Sequence, residues 1–180
     1  MRSGTRSACK RRWTPRGHRP KCKVKLGYEY CYLYAALNPY SGALFSLILP
    51  DMTKDSFCAF TTHFSRYLDE LYGVNNEQRN KVLLIADGAG AHQEQLCTDS
   101  GFHFQKLPPA SPELNPVERF FEELRKDLAD HIFDTLEQVE EHLVTILQKY
   151  YRNPQAIIQL TRYPYIRLPI WIRYKSETHK

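Results

Sequence analysis

Leu107-Pro108-Pro109-Ala110-Ser111-Pro112-Glu113-Leu114-Asn115-Pro116-Val117-Glu118-Arg119-Phe120-Phe121 decides how this 180-residue chain is read. Pro108, Pro109 and Pro112 force an extended loop, because proline fixes its own φ and drives its predecessor out of the helical region. Asn115 then suits an N-cap, Pro116 the first helical position and Glu118 the third, so a helix starts here on local grounds alone. Val117, Phe120, Phe121, Leu124 and Leu128 form its inward stripe. Glu118 falls off that stripe and is free to face a site at the helix start.

Upstream, Val82-Leu83-Leu84-Ile85-Ala86 is a short apolar run that reads as a buried strand, stopping at Asp87-Gly88. Phe102 to Leu107 reads as another short strand. The periodicity of Phe57, Phe60, Phe64, Leu68 and Leu71 predicts an amphipathic helix from Lys54 to Tyr72 that ends near Gly73. Before it, Tyr28 to Leu37 alternates with one aromatic face, Asn38 to Gly42 supplies turn chemistry, and Ala43 to Leu49 returns, which together predict a hairpin. Downstream, a helix from Thr135 buries Leu136, Val139, Leu143, Ile146, Leu147 and Tyr150. At 42% hydrophobic and 13% aromatic residues, the chain has material for a single core.

The net charge of +5 hides an asymmetry. Residues 1–25 hold ten basic residues and no acid, residues 26–161 ten basic and nineteen acidic, and residues 162–180 five basic and one acidic. The expected organisation is therefore a basic arm over 1–25, partly extended or disordered, an α/β domain over 26–160 and a basic tail over 161–180. The arm reads either as a polyanion footprint, with counterion release making binding salt-dependent, or as a solvated tail that aids solubility. Five cysteines, an odd count without C-x-x-C or Cys/His spacing, argue against a disulfide framework or zinc. No run is apolar enough to span a membrane, and no signal peptide is present. A cytoplasmic protein, nucleoid-associated when bound to DNA, is expected.

Asp87 at a strand end and Glu118 in a first helical turn are thirty residues apart, enough for a helix, a strand and a loop to bring them together. Such carboxylates can hold magnesium or manganese, hard cations that take oxygen ligands, and a metal pair drives in-line displacement at phosphorus. Equally, Glu118 can complete a capping box with Asn115, and Asp87 before Gly88 can be a turn residue. Spacing alone leaves both readings open.

At these residues the chain resembles DDE transposases of the mariner superfamily, in the bacterial insertion-sequence branch. The resemblance rests on Leu84-Ile85-Ala86-Asp87-Gly88-Ala89-Gly90-Ala91-His92 and on Leu107 to Glu118. It extends through Arg11-Arg12-Trp13-Thr14-Pro15-Arg16-Gly17 and the Tyr28–Pro50 hairpin into the last helix. It implies an RNase H-like α/β fold, a mixed sheet flanked by helices, with Asp87 and Glu118 as catalytic metal ligands for Mg2+ or Mn2+. His92 resembles the family's histidine and would steady a metal-bound water or a phosphate oxygen, or else is a helix-start histidine bonded to backbone. Asn115 supports the site as the cap beside Glu118. Arg11, Arg12, Trp13, Arg16 and Arg19 are the candidate DNA contacts, with Trp13 alternatively anchoring the arm against the sheet.

One departure from the family pattern stands out. The family's first aspartate lies at the end of the first strand, just before the arginine-tryptophan segment, and here no acid precedes Glu29. Asp51 and Asp55 lie at a helix start, where capping is the better reading. We therefore expect a truncated catalytic domain without the first strand, inactive alone, whose partners are transposon-end and target DNA and a homodimer or mixed dimer with intact transposase. A non-catalytic, interfering DNA-binding fragment and a decayed pseudogene product are the alternatives.

Overall fold

The computed structural model describes residues 1–9, 13–19, 21, 23–74, 77, 79–88, 90 and 94–163. The hairpin forms as expected, from β2 (Tyr30–Leu37) and β3 (Leu44–Leu49), paired antiparallel with Leu33 opposite Ile48 and Leu37 opposite Leu44. Asn38 closes it, its side chain accepting from the backbone N–H of Tyr40 and Ser41. Gly42 is held at a φ of 71°, against Pro154, where an added Cβ would meet the Pro154 carbonyl; only glycine fits there.

The start of the basic arm folds onto this hairpin. Residues Arg2–Gly4 form a three-residue strand, β1, antiparallel to β2, with Ser3 opposite Cys31. Beyond it Thr5 donates to Glu29 O, and Ser7 to Lys25 O. The two ends of the arm therefore run side by side, and residues between them form its tip. The Lys25 ammonium is fixed by the carbonyls of Phe133 and Asp134 and by the Asp134 carboxylate. No sequence pattern marks β1, because three residues without alternation acquire strand geometry only through their pairing.

Helix α1 (Lys54–Tyr72) has the predicted bounds. Thr53 caps it through Ser56 N, and Gly73, at a φ of 86°, ends it. Asp51 takes the capping role expected of it, accepting from Thr53 N, Thr53 Oγ1 and the Ser56 hydroxyl; these bonds lower its pKa, Ser56 first and Thr53 next. A 3-10 turn (Arg79–Lys81) leads into β4 (Leu83–Ala86), α2 (Glu94–Asp99) and β5 (His103–Lys106), with β5 parallel to β4. Helices α3 (Pro116–Leu128) and α4 (Leu136–Tyr151) follow, then α5 (Pro154–Thr161), a stretch to which the sequence reading assigned no element.

The β1-β2-β3 sheet is covered on both faces. Cys31, Leu33 and Leu44 pack with Phe120, Leu124, Val139, Leu143, Ile146 and Ile157 of α3, α4 and α5. Tyr34 and Ala36, pointing the other way by strand alternation, join Phe57, Phe60, Phe64 and Leu68 of α1 with Cys97 and Phe102. Leu84 and Phe104 pack against that second cluster, so α1 bridges the two sheets. Of the alternating tyrosines, Tyr34 is core, while Tyr28 is exposed. Burial pushes the Tyr34 phenol up to about 12, with Asp51 contributing. The architecture is the expected mixed α/β one, with helices on both faces of its main sheet.

Candidate active site

Asp87 follows β4 directly and is exposed. Ala86, the last strand residue, accepts from Leu107 N at 2.8 Å, so the strand end is pinned to the beginning of the proline-bearing loop. That loop turns at Ala110, whose φ is 55°, and passes through a 3-10 turn at Pro112–Leu114. Asn115 is buried and caps α3 as expected: its side chain accepts from Val117 N at 3.3 Å, and its carbonyl accepts from Glu118 N at 3.0 Å.

The capping-box alternative for Glu118 does not form. The Asn115 N–H that a reciprocal glutamate would accept donates instead to Pro112 O at 3.0 Å. Glu118 is therefore left facing outward from the first turn, its side chain about one-third exposed and its Oε2 3.7 Å from an Arg125 guanidinium nitrogen. At that distance and exposure the pair is a loose, solvent-screened one.

The Met1 ammonium, at the head of β1, donates to Leu33 O at 2.6 Å and is partly buried. Burial pulls its pKa down to about 6, opposed by the attraction of Glu118 and, more weakly, Asp87, while Arg125 lowers it further. Both acids therefore act electrostatically on the head of β1. The oxygen donors of Asp87 and Glu118 suit a hard divalent cation. Among the described residues, however, no group of three histidine, cysteine or acidic side chains is placed to hold one.

The remaining candidates divide. His92, Arg11 and Arg12 lie outside the described residues, as do Ala89, Cys22 and the basic tail from Pro164 onward. Trp13 is fully exposed, so it does not anchor the arm against the sheet. Arg16 and Arg19 are exposed with it, flanking a turn in which His18 N donates to Pro15 O and Thr14 Oγ1 to His18 O. Gly17, at a φ of 86°, supplies the left-handed residue of that turn. The acidic residues of α3 are a solvated face: Glu122 pairs with Arg119 and Glu123 with Lys126. No helix among the described residues is long and apolar enough to cross a membrane.

The family model described as DDE superfamily endonuclease matches residues 2–140. The protein y4pE/y4sA of Sinorhizobium fredii (strain NBRC 101917 / NGR234), itself described as uncharacterized, is 27% identical over 133 residues, 73% of this chain and 93% of that one. Among solved structures, a pre-cleavage Mos1 transpososome matches with a TM-score of 0.67 at 14% identity, over 90% of this chain and 52% of that one. The Mos1 mariner paired-end complex with Mn matches with a TM-score of 0.63 at 16% identity, over 90% and 52%. The chain thus spans about half the length of the transposases whose fold it shares. With the family model covering both carboxylate motifs and the intervening β4-α2-β5 unit, the chain belongs to the DDE superfamily endonucleases.

Proposed function

We propose that this chain is the catalytic-domain portion of a DNA transposase, and that Asp87 and Glu118 are its metal-binding carboxylates. The observation that carries this reading is that Asp87 directly follows β4, whose last carbonyl, Ala86 O, is bonded to Leu107 N at the start of the loop that leads to Glu118 in the first turn of α3, all within the span of the family model. The family works with a divalent metal; we take magnesium or manganese as the ion, transposon-end and target DNA as the partners, and homodimers or mixed dimers with intact transposase as the assembly. Asn115 positions Glu118 by capping the helix that carries it, and His92 supports the site from the segment after Asp87. Trp13, Arg16 and Arg19, which are exposed, together with Arg11 and Arg12 of the same stretch of sequence, track phosphates and stack on bases.

A two-metal centre needs more carboxylate than Asp87 and Glu118 provide, because each ion takes several oxygen ligands and the metal pair must be held at both ends of the displaced bond. In our reading the polypeptide alone therefore binds DNA without cutting it.

The test is cleavage of a labelled DNA duplex in magnesium or manganese by this chain and by a version extended upstream with an acid-bearing strand. Cleavage is expected only from the extended protein. Asp87→Ala and Glu118→Ala should each abolish it while leaving stability within about 1 kcal/mol, as surface changes do. Robust cleavage by the unextended chain, insensitive to both substitutions, would overturn the assignment.

A further inference from the structure

Strands β4 and β5 run parallel and end together, with Ala86 opposite Lys106. Asp87 follows the first strand and Lys106 is the last residue of the second, so an acid and a base leave the same end of the sheet on neighbouring strands. That end, beyond the carboxyl termini of parallel strands, is where α/β folds take their ligands. Lys106 is exposed, yet its stem folds across Gly88, the residue after Asp87: a Cβ added to Gly88 would stand 2.3 Å from Lys106 Cε and 3.1 Å from Nζ. Gly88 is not one of the left-handed glycines, so the missing side chain there makes room for the lysine. The cations of α3 are already engaged, Arg119 with Glu122, Lys126 with Glu123 and, loosely, Arg125 with Glu118. The Lys106 ammonium makes no ion pair with any described residue.

We propose that Lys106 binds a phosphate of the DNA beside Asp87 and is a phosphate-positioning residue of the site. The inference rests on the reading of this chain as a transposase catalytic domain. A carboxylate repels the phosphodiester that must approach it, and unit charges of like sign at roughly 6 Å in water lose about threefold in affinity. An ammonium on the neighbouring strand offsets that loss. Lysine suits the task, because a compact charge with three donors takes a phosphate oxygen without demanding one orientation. The ladder fixes where its stem begins: Leu107 N donates to Ala86 O at 2.8 Å, one residue past Lys106, so the two strand ends keep their spacing while the side chain adapts. A lysine that only discouraged pairing at a sheet edge would project away from the strand end and not across Gly88. In the sequence Lys106 is one of 25 lysines and arginines, and only the parallel register of β4 and β5 sets it next to Asp87.

Fluorescence anisotropy of the full chain on a labelled DNA duplex, in EDTA and across a salt series, tests this. Lys106→Ala should reduce the slope of log K against log salt by about 1, the counterion release lost with one phosphate contact. Lys106→Arg should keep the parent slope, and so should Lys149→Ala on α4. Lys106 and Asp87 are both exposed, so their variants fold. Placement beside Asp87 is read by a double-mutant cycle. Asp87→Asn should tighten binding about threefold at low salt when Lys106 is present, and should leave it unaltered in Lys106→Ala, where the phosphate is no longer held next to the carboxylate. A slope that Lys106→Ala leaves at the parent value, one that Lys149→Ala lowers as much, or equal tightening by Asp87→Asn in both backgrounds overturns the proposal. With no metal present, the result is independent of the cleavage test. A chain that binds no DNA overturns both this proposal and the DNA-binding reading, whereas a chain that binds with its slope unaltered by Lys106→Ala overturns this one alone.

Discussion

Arg79→Met should cost about 3–4 kcal/mol of folding stability. The guanidinium is buried, and its Nε lies 2.8 Å from Asp69 Oδ1, with further bonds to Gly101 O at 2.6 Å, Ser65 Oγ at 2.7 Å and Ser100 O at 3.1 Å. It therefore ties α1 to the 3-10 turn before β4 and to the turn between α2 and β5. Breaking a buried ion pair costs about 3–5 kcal/mol, mostly because the partners lose their only compensation. The lower part of that range applies here, because Asp69 is one-third exposed and rehydrates. The Gly101 carbonyl does not, and an unsatisfied acceptor costs about 1–3 kcal/mol, whereas Ser100 O keeps the Ser65 hydroxyl at 2.8 Å. Methionine fills the space but offers no donor. In urea unfolding followed by far-UV circular dichroism, an m-value near about 2 kcal/mol/M converts this loss into a midpoint lowered by about 1.5–2 M. Arg79→Lys should recover less than half, since an ammonium cannot reach partners spread across three elements. A loss below about 1 kcal/mol for Arg79→Met would refute the account, meaning that water already serves these groups.

Phe120→Ala, which removes a fully buried ring in edge contact with Tyr150 at 5.0 Å, should cost about 3–5 kcal/mol in the same assay. Because burial holds the Met1 ammonium at about 6, below its usual 8.0, the unfolded chain binds the proton first as pH falls. Stability should therefore drop by about 2 kcal/mol between pH 8 and pH 6, and Nα-acetylation should remove that dependence in pH-resolved melts. Arg16→Ala and Arg19→Ala should weaken DNA binding alike across sequences and each reduce the slope of log K against log salt by about 1, measured by fluorescence anisotropy.

Local chemistry made much of this fold legible. Helix α1 begins after Thr53 and stops at Gly73 because cap and left-handed glycine act within a turn of the chain, and α3 begins at Asn115-Pro116 for the same reason. The stripes of α3 and α4 and the turn at Asn38–Gly42 were equally readable. Helix α5 carried its own signal in Asn153-Pro154, where the Asn153 side chain accepts from Ala156 N, but eight residues gave too little periodicity to assign an element there. Cys31, Leu33 and Cys97 were placed in the core only by packing, where burial raises the Cys31 thiol to about 11 and Cys97 to about 12.

By itself, then, the sequence determined the hairpin of β2 and β3, the short strands β4 and β5, the helices α1, α3 and α4, and which two acids stand at a strand end and a helix start. Each of those properties depends on neighbours a few residues away. Tertiary structure alone decided that Arg2–Gly4 is a strand, that Arg79 clamps three elements, and that Glu118 is released from capping by the Pro112 carbonyl. Those outcomes depend on groups tens of residues apart, whose meeting is set by how the sheets and helices close on one another and not by any local propensity.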